Sequence, residues 1–247
     1  MTEKTCSRRE FLVYGGILGS LFGWLPFFRP GHVDLAGARF RILRNGRSNR
    51  RYVVIHGDEE TARQALRRLM RFQEGTGFEI ESGARNVPVG GGQIDPNRMF
   101  SRPGAEASLK KLNPDWTPAQ LSAALDLLDR GREKLVHALL PPKGGLLVAL
   151  HNNSSEYSVA DEEKISDRGA IPQPDHPHAF YLCTDPADYS ILANSGYNTL
   201  LQQHGPEDGS LSRLCASRGA RYVNVEVRLG DLSRQQDMLD WLEWVLQ

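Results

Sequence analysis

Along the chain, short runs of β-branched and aromatic residues alternate with longer stretches in which apolar residues recur every three or four positions. Residues 52–55, Tyr-Val-Val-Ile, are the clearest of the short runs and read as a buried strand. The pattern then changes period: Ala62, Ala65, Leu66, Leu69 and Met70 fall on one face of a helix that begins near Asp58. Further strands are expected at 40–43, 78–80, 146–150, 179–183 and 222–227. Thr117 as N-cap, Pro118 at the first helical position and Gln120 as its capping-box partner predict a second helix. Leu121, Leu125, Leu128, Leu135, Val136 and Leu139 give that helix an apolar face, and Pro141-Pro142 ends it. Shorter helices are expected at 186–194, 197–202 and 210–217, and an amphipathic one at 235–246. Such alternation predicts an α/β fold: a mixed, mostly parallel central sheet with helices on both faces.

The polar residues that interrupt this pattern carry the candidate chemistry. The first strand stops at His56-Gly57-Asp58-Glu59, so an imidazole and a carboxylate flank a strand-to-helix turn. A second buried strand ends at His151, and a late strand carries an acid at Glu226. In open α/β sheets ligands bind beyond the carboxyl ends of the strands. Two histidines and a glutamate are one of the standard ligand sets of a catalytic zinc, which keeps a position open for water. On its own the His56/Glu59 pair is weak evidence, since a strand-ending histidine before a helix-starting acid arises by chance. His137, on the second helix, reads as structural or surface, and His176 and His178, close enough to bind a metal in principle, read as a surface loop in a proline-rich stretch.

Composition changes the picture little. A chain of 247 residues with 40% hydrophobic content can bury a sizeable core, and its formal net charge of zero argues against a nucleic-acid surface or a polybasic membrane patch as its main business. The amino terminus stands apart. Ser7-Arg8-Arg9-Glu10-Phe11-Leu12 opens an apolar run over residues 11–28, and together they resemble a twin-arginine export signal. Residues 1–38 are therefore expected to act as a signal, cut at the small residues Ala36-Gly37-Ala38, or to remain as an inner-membrane anchor. Residues 39–247 then form one exported, periplasmic domain, with the twin-arginine export machinery as a partner. Cys6 lies in the signal, and Cys183 and Cys215 are candidates for pairing in an oxidising compartment.

Taken with Asp95-Pro96-Asn97-Arg98 and the following Phe100, with Leu150-His151-Asn152 and with Val225-Glu226-Val227, the His-Gly-Asp-Glu stretch resembles the zinc carboxypeptidase superfamily. Within it, the succinylglutamate desuccinylase and aspartoacylase branch is the nearer pattern. The resemblance runs from about residue 40 to the end and implies a zinc carboxypeptidase-like fold. It also implies one Zn2+ per chain held by His56, Glu59 and His151, with Glu226 as the proton-transferring acid and base. Asn97 and Arg98 would hold a substrate carboxylate, and Arg85 is the nearest candidate for a further arginine of the site. Tyr197 is a candidate for a substrate-contacting tyrosine or a packed aromatic. The implied substrate is a peptide or N-acyl amino acid whose amide lies near a free carboxylate. An esterase shares such a site, and a catalytically silent binding domain is the alternative from another class.

Overall fold

A computed structural model describes residues 31–154 and 156–247. The export signal or anchor falls largely outside these residues. Within them, no helix is long and apolar enough to cross a membrane.

One nine-stranded sheet organises the chain. Its strands in sequence order are β1 (His32–Leu35), β2 (Ala38–Asn45), β3 (Arg51–Val54), β4 (Gly75–Ile80), β7 (Leu146–Asn153), β8 (Arg168–Ala170), β9 (Phe180–Cys183), β10 (Asn198–Leu201) and β11 (Arg221–Arg228). A separate hairpin of β5 (Val87–Val89) and β6 (Gly92–Ile94) lies between β4 and the helices that follow. Across the sheet the order is β1-β2-β4-β3-β7-β11-β9-β10-β8. The four central strands β4, β3, β7 and β11 run parallel, and antiparallel pairs appear toward both edges. This is the expected mixed α/β sheet with a parallel centre.

Its central strands are buried on both faces, because helices cover each side. On one face α1 (Glu60–Leu69), α5 (Pro186–Leu192) and α7 (Leu232–Val245) pack their apolar stripes on Val54, Val148, Leu150, Tyr181, Val223 and Val225. On the other, α2 (Arg102–Leu112), α3 (Pro118–Leu139), α4 (Val159–Glu163) and α6 (Leu211–Arg218) cover Val53, Leu147, Ala149, Phe180 and Tyr222. The Thr117 capping box with Gln120 forms as expected.

Several expectations change. Residues 198–201 are the strand β10, not a helix: their side chains are all buried, so no polar face marks the period, and backbone pairing with β9 and β8 decides the conformation. α2 has no strong sequence signature, since only Ala105 and Leu109 of its apolar residues are fully buried. β7 continues through His151, Asn152 and Asn153 rather than stopping at His151. β1 adds an edge strand with Val33 and Leu35 buried, so a cut at Ala36-Gly37-Ala38 would remove a strand from the sheet. Cys183 and Cys215 are both buried and unpaired, and they sit in the cores on opposite faces of the sheet. They do not form a disulfide.

Candidate metal centre

The parallel centre of the sheet brings the carboxyl ends of β3, β7 and β11 together, and the candidate ligands gather there. His56 follows β3 by two residues and is held in a tight turn. The Gly57 N–H donates to Ala84 O at 3.2 Å, and a Cβ on Gly57 would stand 2.1 Å from Ser82 O, so no other residue fits the turn without moving the backbone. Arg63 fastens the same turn from α1, donating to Gly57 O at 2.9 Å and Ser82 O at 3.0 Å while its charge meets the buried Glu79.

Glu59 is the N-cap of α1, yet its side chain makes no capping hydrogen bond. Asn152 of β7 caps the helix in its place. Its Oδ1 accepts from Ala62 N at 2.8 Å, satisfying one of the free N–H groups of the first turn. The Glu59 carboxylate is thereby free to turn inward, where Oε1 lies 2.7 Å from His56 Nδ1 and Oε2 lies 3.2 Å from His151 Nδ1. The two rings are edge to face with centroids 5.3 Å apart. Ligand atoms of His56, Glu59 and His151 all fall within 4.8 Å of one another, and all three residues are buried.

This set could hold a metal ion, and one detail of the geometry fits it. Glu59 Oε2 is buried and makes no well-aligned hydrogen bond although His151 Nδ1 stands 3.2 Å away, an arrangement that a cation shared by the two atoms would satisfy. His56 also has the supporting contact usual for a ligating imidazole, with Nε2 2.9 Å from Asp95 Oδ1, which fixes the ring and directs Nδ1 at Glu59 and His151. Asp95 is the one centre-supporting carboxylate to which the sequence assigned no role. Its signal was the Asp-x-Asn turn, where Asp95 Oδ1 also accepts from Asn97 N at 2.8 Å.

Charge in the pocket follows from these contacts. Burial opposes a charged His56, but the Glu59 and Asp95 carboxylates outweigh it and hold the ring at about 9. Burial likewise works against an ionised Asp95, yet the His56 ring brings its carboxyl down to about 2. Glu59 is held far below the usual carboxylate range, the two histidines overcoming its burial.

Glu226 stands opposite His151 in the parallel register of β11 and β7, so the two side chains leave the same face of the sheet. Asn224 Nδ2 donates to its Oε1 at 3.0 Å and Asn153 Nδ2 to its Oε2 at 3.1 Å. Burial nevertheless pushes the Glu226 carboxyl above its usual range, aided by the nearby Glu59 and only partly offset by His151 and the two amides. Asn224 was legible only as a member of a strand and Asn153 only as part of a polar loop beyond His151, because their role depends on register.

The centre opens into a cleft of about 700 Å³ that also receives Arg85, Asn97, Arg98 and Tyr157. Arg85 is half exposed and its Nη1 lies 3.3 Å from Glu59 Oε1. Arg98 donates from Nη1 to Asn97 O at 2.8 Å, and Nη2 is 3.8 Å from Asp208. Asn97 spends its side-chain carbonyl on Leu211 N at 3.0 Å, anchoring the start of α6. Tyr197 is not in the cleft. It packs on the opposite face of the sheet, with its ring 5.8 Å from that of Tyr181.

No family model and no curated protein matches the chain. Among solved structures it is similar to a succinylglutamate desuccinylase/aspartoacylase from Rhodobacter sphaeroides, at 15% identity and a TM-score of 0.42. The similarity covers 83% of this chain and 57% of that one, so the chain spans a little over half the length of the structure it matches.

Proposed function

We propose that the protein is an exported zinc-dependent hydrolase that cleaves an amide bond near a free carboxylate, in a peptide or an N-acyl amino acid. The observation that carries this reading is the convergence of His56, Glu59 and His151 on one point, with Glu226 in register beside His151 at the edge of an open cleft. The export part rests on Arg8-Arg9 and the apolar run over residues 11–28 alone.

His56, Glu59 and His151 would hold the ion, which when bound polarises a carbonyl and acidifies water. Glu226 takes a proton from the attacking water on a carboxylate oxygen and passes it to the leaving nitrogen, so the carboxylate is restored when the amine departs. Burial that raises its affinity for a proton suits both halves of that transfer. Asn153 and Asn224 fix the carboxylate so that it need not reorganise between them. Arg98, partly exposed and paired only loosely with Asp208 at 3.8 Å, offers a planar fork to a substrate carboxylate, and Arg85 lines the same cleft beside Glu59.

The test is the zinc content of the purified protein beside His151→Ala, followed by turnover of a panel of peptides and N-acyl amino acids by wild type and Glu226→Gln. We expect about one zinc per chain, lost in His151→Ala. Glu226→Gln should keep the zinc and lose roughly a hundred- to ten-thousandfold in rate. A wild type that takes up no zinc when it is supplied would sink the hydrolase reading. Zinc uptake without turnover of any substrate would favour a binding domain built on the same centre.

A further inference from the structure

The end of the sheet opposite the metal centre carries its own chemistry. Because β3, β4, β7 and β11 run parallel, their amino ends share that edge, and the antiparallel β2 finishes there, with Arg44 opposite Thr76 and Asn45 opposite Gly75. Although the net charge of the chain is zero, Arg44, Arg47 and Arg51 line one shallow groove there with Ser48, Asn49 and Thr76. Among the described residues no carboxylate comes within ion-pair distance of any of the three; Glu74 lies against Gly46 but pairs with none of them. Arg51 Nη1 rests on Thr76 Oγ1 at 3.2 Å, while its Nε is buried with no partner.

Two exposed aromatic side chains lie at the same end of the sheet. α1 and α7 follow β3 and β11 and run back across the sheet, so both finish at the same end. Phe72, just beyond α1, is 76% exposed and Trp244, in the last turn of α7, is 72% exposed. Arg50 ties this end together through Glu243 at 3.3 Å. By contrast, the exposed Leu229 and Ile165 line the cleft of the metal centre at the other end. The described chain also enters here: Gly31 O accepts from Ile42 N at 2.7 Å, and a Cβ on Gly31 would stand 3.4 Å from Arg44 Nη1. In the sequence that precedes Gly31 lies the apolar run over residues 11–28.

We infer that this end of the domain rests on an anionic lipid surface, with Arg44, Arg47 and Arg51 at the headgroups, Phe72 and Trp244 at the interface, and the metal centre facing away into solution. Basic residues beside an anionic bilayer each favour contact by about fivefold. The Trp244 indole, with its polar N–H, settles at the level of the headgroups, and the apolar Phe72 ring enters the acyl boundary beneath them. The inference does not depend on what the metal centre does.

The experiment is hydrogen exchange by mass spectrometry on the full chain reconstituted in nanodiscs of phosphatidylcholine alone or mixed with phosphatidylglycerol. Amides of residues 46–50 and 71–74 should exchange several-fold more slowly on the anionic discs, and high salt should remove the difference by screening. Arg44→Glu/Arg47→Glu changes two exposed side chains and should abolish that protection, with vesicle affinity falling on the order of 20-fold. Lys110→Glu/Lys164→Glu makes the same change of charge at other exposed sites and should leave the protection intact. Equal exchange on the two lipids, protection that survives in the Arg44/Arg47 variant, or equal loss in the Lys110/Lys164 control would each overturn the inference.

Discussion

His56 shows how one residue's neighbours set both its charge and what it can bind. Without a metal, its ring is held at about 9 against an ordinary 6.5, so the ion pairs with Glu59 and Asp95 add their full stability below about pH 6.5. That contribution is lost as the pH rises through about 9. Metal binding has the opposite dependence, because a ligating imidazole must first give up its proton. The metal-free protein should therefore melt at progressively lower temperature between pH 6.5 and 9. Over the same range zinc affinity should climb by about tenfold per pH unit, with about one proton released per ion bound, measured by calorimetry across buffers of different ionisation enthalpy. Zinc affinity independent of pH below 9 would show that His56 is not a ligand. The residue types were legible in the sequence: a strand-ending histidine, a glutamate three residues on and a second histidine. The support of His56 by Asp95 was not, since 39 residues separate them and a hairpin and a turn bring them together.

At the scale of elements, Asn152 joins the two that carry the ligands. Its Oδ1 caps α1 at Ala62 N, and its Nδ2 reaches Gln235 Oε1 at 3.1 Å and its own neighbour's carbonyl, His151 O, at 3.0 Å. Asn152→Ala should cost about 2 kcal/mol, as a lost cap together with buried partners left unsatisfied. It should also weaken zinc binding by roughly 10- to 100-fold, because Glu59 and His151 would no longer be held in step. Asn152→Asp keeps the acceptor for Ala62 N but sets its second oxygen against His151 O and Gln235 Oε1. It should therefore recover part of the zinc affinity and none of the stability in metal-titration and melting measurements. A full loss of stability with unchanged zinc affinity would contradict this role. Amphipathic elements such as α1, α3 and α7 were readable because one face is wet and the other dry, which leaves a period in the sequence. β10 was misread as helix and β7 cut short because strands buried on both faces, or polar at a site, leave no such period.

For the whole molecule, a metal bound here would tie the start of α1 to β3 and β7, and so act on global stability. If zinc binds the folded chain alone, a free concentration a thousand times the dissociation constant adds about 4 kcal/mol. At roughly 2–4 °C per kcal/mol for a domain of this size, that is a rise in melting temperature of about 8–16 °C, reversed by a chelator and absent in His151→Ala. Reductant should not shift the melting temperature through Cys183 and Cys215, since the sheet itself separates them.

The sequence by itself determined the fold class, the buried apolar runs that lead into His56 and His151, and the residue types able to bind a metal, because these depend on local period and side-chain chemistry. It also placed an apolar segment ahead of the domain. Only the tertiary structure decided that Glu59 leaves its cap to Asn152, that Glu226 lies in register with His151, and that Tyr197 points away. The same holds for the arginines and exposed aromatics that share the far end of the sheet. Those facts depend on strand order, register and polarity, which set which distant residues meet and which no short stretch of sequence contains.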